Sequence, residues 1–245
     1  VAARDGGGGN ERGGGGGFGV ASQDALSKAL SSLGAKDFRE RIDGLRQVDA
    51  LVDALPAAPD ASIIQLLDQM TVRLGDGNSK VNVQALDTLG RLFESLRDRA
   101  SIGLNTLVPA IAAQLGSANE KTRSVAASCL DRLIASVEPA LLVQNLSHCI
   151  SNGTARGKVL LAERLEPVIA ALYPARPQLV VKYAVPAAVA LANDAKGGAE
   201  VRAASNALLT ALARSMGPHL LDHTETLAPA VHQRVADAVA SVHYY

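Results

Sequence analysis

A chain of 245 residues with 48% hydrophobic content can bury a continuous core, yet aromatic residues are only 3% of it and tryptophan is absent. A core of Ala, Leu and Val with so few rings suits closely packed helices, not a sandwich or barrel. Formal net charge is zero, so no global field draws the chain to nucleic acid or an anionic membrane, and any charged binding surface must be local. No apolar run reaches the roughly 18 residues of a membrane span. The longest candidate, residues 183–192, is too short and contains Pro186. The chain opens on Val1 without a signal-peptide pattern and reads as a piece of a larger, multi-domain protein.

In chain order, residues 1–21 come first, with glycine runs at 6–9 and 13–17. Such a segment offers too little apolar surface to offset its ordering entropy, so it is expected to be a disordered Gly-rich linker. Reading it as an RGG-like nucleic-acid tail rests on Arg4 and Arg12 alone. The domain is expected over 22–245. Ser22 predicts the cap of a helix over 23–33, which Gly34 stops. Helices follow at 38–55, ended by Pro56 and Pro59, and at 61–74 and 80–97. Further predicted pairs are 103–115 with 120–136, 141–150 with 155–172, and 178–193 with 199–216. A shorter pair, about 218–223 and 227–243, closes the chain. No segment alternates as a strand would.

The second helices share one plan. In Asp76-Gly-Asn-Ser-Lys80 a polar turn precedes an apolar stripe through Val81, Ala85, Leu89 and Leu92. The plan recurs from Asn119, from Asn152, from Gly198 and, more divergently, from Lys36. Starts roughly 35 to 45 residues apart are the period of HEAT or armadillo repeats. The predicted fold is all-α: a solenoid of about six helical hairpins.

Little in the sequence supports catalysis. His219 and His223 share a helical spacing, but no third metal ligand accompanies them. Cys149 adjoins His148, and neighbours on a helix point about 100° apart, so the two are not a dyad. No nucleophile elbow or phosphate loop appears, and no cofactor is implied. Cys129 and Cys149 lie on apolar faces and are expected to be buried and reduced.

The turns inside the hairpins carry a clearer signal. They run 35–39, 77–80, 118–123, 152–158 and 196–202, and each contributes Lys or Arg where the second helix starts. In a solenoid these turns lie along one edge. Cations there oppose the helix dipole, so propensity alone does not call for them. The edge suits an acidic protein partner, with Phe38 as an apolar contact.

These residues resemble a TOG domain, the six-HEAT paddle that binds αβ-tubulin through its intra-repeat loops. Within TOG domains the chain looks most like the crescerin/TOGARAM family of ciliary proteins. The resemblance is carried by Asp37-Phe-Arg-Glu-Arg-Ile-Asp-Gly-Leu45 in the first loop, by residues 79–93 and by residues 145–153. It implies a non-catalytic cytoskeletal domain, placed in the cytoplasm and the axoneme, whose partner is free αβ-tubulin or the microtubule lattice. It also implies a monomeric domain without nucleic-acid or membrane partners. Carried onto this chain, the tubulin-binding residues are Phe38 and Arg39 in loop one, Asn78 and Lys80 in loop two, and Asn119, Lys121 and Arg123 in loop three. Arg156 and Lys158 stand for loop four, Lys196 and Arg202 for loop five. Phe38 departs from the family's tryptophan and loses its indole donor. The alternative reading is a HEAT adaptor for another protein, which would not depend on these turns.

Overall fold

The structure is a computed structural model and describes residues 18–194, 197–225 and 227–242. The expectations for residues 1–17 and for Lys196 lie outside the described residues. The helices are α1 (Val20–Leu33), α2 (Phe38–Leu51), α3 (Asp60–Leu74), α4 (Ser79–Leu96), α5 (Leu104–Leu115) and α6 (Glu120–Ser136). They continue with α7 (Pro139–Asn152), α8 (Ala155–Leu172), α9 (Pro177–Leu179), α10 (Val185–Ala192), α11 (Ala199–Met216), α12 (His219–Asp222) and α13 (Pro229–Ser241). A π-helical turn, Val180–Ala184, fuses α9 to α10 as one rod, and 3-10 turns fill Leu55–Ala57 and Arg97–Gly103. No strand occurs among the described residues.

The hairpins α1/α2, α3/α4, α5/α6, α7/α8, rod/α11 and α12/α13 form two layers. First-layer helices pack in series from α1 through α3, α5 and α7 to α10. Second-layer helices do the same from α2 through α4 to α6, and from α8 through α11 to α13. The α6–α8 contact is thin, and α8 leans on α5 as well as on α7. The solenoid is thus stepped between its third and fourth repeats. One apolar core runs the whole length between the layers, from Leu26 to Ala238, with Phe93 its largest fully buried side chain.

Several boundaries differ from the sequence reading. α1 begins at Val20 with Gly19 in the cap position, ahead of Ser22, and Phe18 packs against the core in front of it. α2 stops at Leu51, because the chain needs a 3-10 corner to bury Leu55 before Pro56 and Pro59. α4 ends where Arg97 takes a positive φ of 53°, unusual for a non-glycine residue. The predicted 178–193 helix is interrupted by the π turn. Pro186 has no N–H, and its ring would meet the carbonyl of Lys182 in a regular helix, so the wider turn relieves that clash.

Arginines tie the second layer together along its outer face. Arg91 of α4 reaches Asp49 of α2 at 2.7 and 3.1 Å. Arg132 of α6 reaches Glu94 of α4 at 2.7 and 3.0 Å, and Arg164 of α8 reaches Asp131 of α6 at 2.7 and 3.1 Å. Each pair is bidentate, the geometry that favours Arg over Lys. Gly90 makes room for one of them: a Cβ there would lie 2.8 Å from Nη1 of Arg132.

Gly44 marks a close helix crossing between α1 and α2. A Cβ at this position would stand 2.8 Å from the backbone nitrogen of Leu33 and 3.1 Å from the carbonyl oxygen of Ala29. Backbone cannot step aside as a side chain can. Gly44→Val is therefore expected to cost about 2 to 3 kcal/mol by overpacking the α1–α2 contact. Urea unfolding checks this, and a loss under about 0.5 kcal/mol would show that the contact is looser.

Cys129 and Cys149 are free and buried. Burial pushes the Cys149 thiol from an ordinary 9.0 up to about 11, and the deeper Cys129 higher still. Neither is expected to react with a disulfide reagent at pH 8 in the folded state, while both react after denaturation. Below pH 9 the thiols are protonated folded or unfolded. Between the unfolded and folded values only the unfolded chain loses the protons, so stability is expected to fall as pH rises above about 9. A pH series of urea midpoints checks the sign.

Candidate functional site: the intra-repeat turn edge

The second helices of the first four repeats start from a polar cap, whereas α11 and α13 start from Gly198 and Ala228 without one. The Asp37 carboxylate accepts from the Arg39 amide at 2.8 Å, and Asn78 Oδ1 from the Lys80 amide at 3.0 Å. Asn119 Oδ1 accepts from Thr122 at 3.3 Å, and Thr154 Oγ1 from Gly157 at 3.2 Å. Asn78 and Asn119 therefore hold the turns in shape as well as lining the edge. Counted from these caps, the basic residues separate into two structural groups.

The second helical residue is Arg39, Lys80, Lys121 and Arg156 in the first four repeats, and all four side chains are exposed. In the fifth repeat the position is the acid Glu200. The fourth helical residue is Arg41, Asn82, Arg123, Lys158 and Arg202. Three of these five point back to brace the preceding turn, and a fourth ties two turns together. Arg41 donates to the carbonyls of Ala35 and Lys36 at 3.0 and 2.7 Å, and Arg123 repeats this on Ser117 and Ala118 at 2.8 and 2.9 Å. Asn82 donates to the carbonyl of Leu74. Lys158 reaches the Asp194 carboxylate of the next turn at 2.7 Å, while Arg202 is exposed.

Asp76 is the junction of the first two turns. Its carboxylate is only 4% exposed and pairs with Arg41 at 2.8 Å and Arg73 at 3.0 Å, and it also accepts from the Asn78 amide at 2.9 Å. The sequence reading missed Arg41, Arg73, Asn82 and Asp76. A cap followed four residues later by a long polar side chain is the signal that fits three of the four braces, Arg41, Arg123 and Lys158.

Phe38 is half-buried against the core, and the Arg39 guanidinium carbon lies 5.7 Å from its ring centroid. The pair forms a flat apolar-cationic corner. Turns two and three come together in a depression of about 200 Å³ lined by Ser79, Lys80, Val83, Gln84, Asn119 and Lys121. Charge along the edge is uneven. Lys36 and Arg39 are offset by the exposed acids Asp37 and Glu40, and Arg202 by Glu200. Across turns two to four, Lys80, Lys121 and Arg156 face one exposed acid, Glu120. The positive stretch is the middle of the edge.

Elsewhere, no group of three His, Cys, Asp or Glu side chains among the described residues could hold a metal. His219 instead meets Asp222 at 3.3 Å. Among the described residues no helix is long and apolar enough to cross a membrane.

No family model matches the chain. Two curated relatives are TOG array regulator of axonemal microtubules protein 1 from Homo sapiens and from Mus musculus. The human protein is 29% identical over 218 residues, 86% of this chain and 13% of its own length. The mouse protein is 30% identical over 207 residues, 81% of this chain and 12% of its own. The chain thus spans about an eighth of these relatives. Among solved structures, the TOG domain of C. elegans Zyg9 superposes with a TM-score of 0.68 at 20% identity, covering 87% of this chain and 80% of that one. This chain has the fold of a TOG domain and is similar in sequence to the TOG array regulators of axonemal microtubules.

Proposed function

We propose that this domain binds αβ-tubulin, free or in the microtubule lattice, along the intra-repeat turn edge. It does so without catalysing a reaction, as one part of a larger regulator of axonemal microtubules in the cytoskeleton of the cilium. The observation that carries the reading is the row of exposed cations at one helical position, Arg39, Lys80, Lys121 and Arg156, in four successive repeats. Such a row suits an acidic protein surface and steers its approach. The names of the relatives point to the same partner. Phe38 with Arg39 supplies the apolar corner at one end, and Asn78 and Asn119 supply capped, ordered turns between the cations. Arg123 and Lys158 act by holding turns three and four. Arg202 belongs to the far end of the edge.

Gel filtration of the domain with αβ-tubulin tests this. Co-elution is expected at low salt and should weaken as ionic strength rises, because exposed charges are screened within about 10 Å at 0.1 M. Separate elution at low salt, with no co-sedimentation on stabilised microtubules, would remove the reading.

A further inference from the structure

The first layer of repeats three to five presents a surface unlike the rest of the chain. α5, α7 and the α9–α10 rod together carry one formally charged side chain, Lys182, and no acid. Charged residues are 20% of the whole sequence. Exposed positions on these helices are instead filled by Asn105, Gln144, His148, Ser151, Pro109 and Pro186. A merely solvated helix face has no reason to exclude Glu and Lys, whereas depletion of Glu, Asp and Lys marks surfaces that a partner covers.

A groove of about 520 Å³ crosses this surface. Asn105 comes from α5, Gln144 and Asn145 from α7, and Lys182 and Tyr183 from the π turn. No side-chain hydrogen bond joins any of the three carboxamides to another described residue. Ser147 lines the same groove, is 4% exposed, and its Oγ has no partner. Lys182 Nζ stands 5.0 Å from the Tyr183 ring centroid, which holds the cation beside the groove. A second depression of about 240 Å³ shares Pro109 and His148 with the groove and continues to Gly153 and Thr154 at the turn edge.

We propose that this groove binds an extended acidic peptide segment of a partner protein. A carboxamide both donates and accepts, so Asn105, Gln144 and Asn145 can pair with the alternating N–H and C=O groups of an extended backbone. Lys182 meets a carboxylate, and no acid lines the groove to repel one. A groove lined from three successive first-layer elements fits a chain better than a small enclosed ligand. The groove's lining includes none of the cations of the tubulin-binding edge, and its assignment does not depend on that reading.

The test is selection of a displayed library of random peptides on the wild-type domain. Recovered sequences are expected to be rich in Asp and Glu. The most frequent one, synthesised with a fluorescent label, should lose affinity about tenfold or more on Lys182→Glu, and again on the double change Gln144→Ala with Asn145→Ala. Circular dichroism of each variant controls for folding. The same peptide should bind undiminished when Lys80, Lys121 and Arg156 are changed to Glu, and Lys182→Glu should leave tubulin co-elution intact. The proposal is overturned by recovery of no peptides, by peptides without acidic enrichment, by a folded Lys182→Glu domain that binds as wild type does, or by loss of the peptide from the turn variant. If tubulin fails to co-elute with the wild-type domain, only the edge reading falls.

Discussion

Asp76→Ala is expected to destabilise the domain by about 3 to 5 kcal/mol, the cost of breaking one side of a buried ion cluster. The substitution leaves the guanidinium groups of Arg41 and Arg73, 13% and 15% exposed, without their shared carboxylate. It also frees the Asn78 amide at the start of the second turn. Asp76→Asn keeps an acceptor oxygen and should cost less. Urea unfolding of the three proteins gives the order wild type, Asn, Ala. An alanine variant within about 0.5 kcal/mol of wild type would show that the cluster contributes no net stability. Because Asp76 joins turns one and two, the alanine variant should also lose tubulin affinity, although this carboxylate is too buried to reach a partner.

Changing Lys80, Lys121 and Arg156 together to Glu is expected to abolish detectable tubulin binding while the helices remain intact. One exposed ion pair is worth about 0.2 to 1 kcal/mol, so any single change sits near the limit of measurement. Three reversals remove three attractions and add three repulsions on the stretch of edge where only Glu120 opposes them. The three positions are exposed first-turn residues, where an acid suits the helix dipole, so folding should not suffer. Arg123 is left untouched, because its guanidinium holds the carbonyls of Ser117 and Ala118 and its loss would disorder the third turn. Gel filtration with tubulin, paired with circular dichroism, reads the outcome. A folded triple variant that co-elutes as well as wild type would favour an adaptor role using another surface.

The fold was legible because its signals are local and repeated. The caps at Asp37, Asn78, Asn119 and Thr154, each followed by an apolar stripe, set both the period and the register of the hairpins. Boundaries failed where distant packing decides them: Phe18 reaching the core ahead of α1, the 3-10 corner that buries Leu55, and the π turn that accommodates Pro186. The edge itself was legible, but its division of labour was not. Arg123 and Lys121 look alike in sequence. They differ because the second residue of the helix projects to solvent, while the fourth turns back over the preceding loop. The Arg91, Arg132 and Arg164 ladder was present as a recurring Arg-Leu pair, yet only the three-dimensional stacking of repeats shows that each reaches back to an acid one repeat earlier.

Hydrogen exchange of the domain with and without tubulin reads directly which face meets it. The first amides of a helix have no partner within it, so those at the starts of α2, α4, α6 and α8 exchange quickly unless capped or covered. Tubulin is expected to slow exchange at these starts and in the turns before them, with the largest change around Lys80 and Lys121 and little change along α5, α7 or α10. Protection confined to the first-layer helices, or an unchanged turn edge in a sample that demonstrably holds tubulin, would contradict the account.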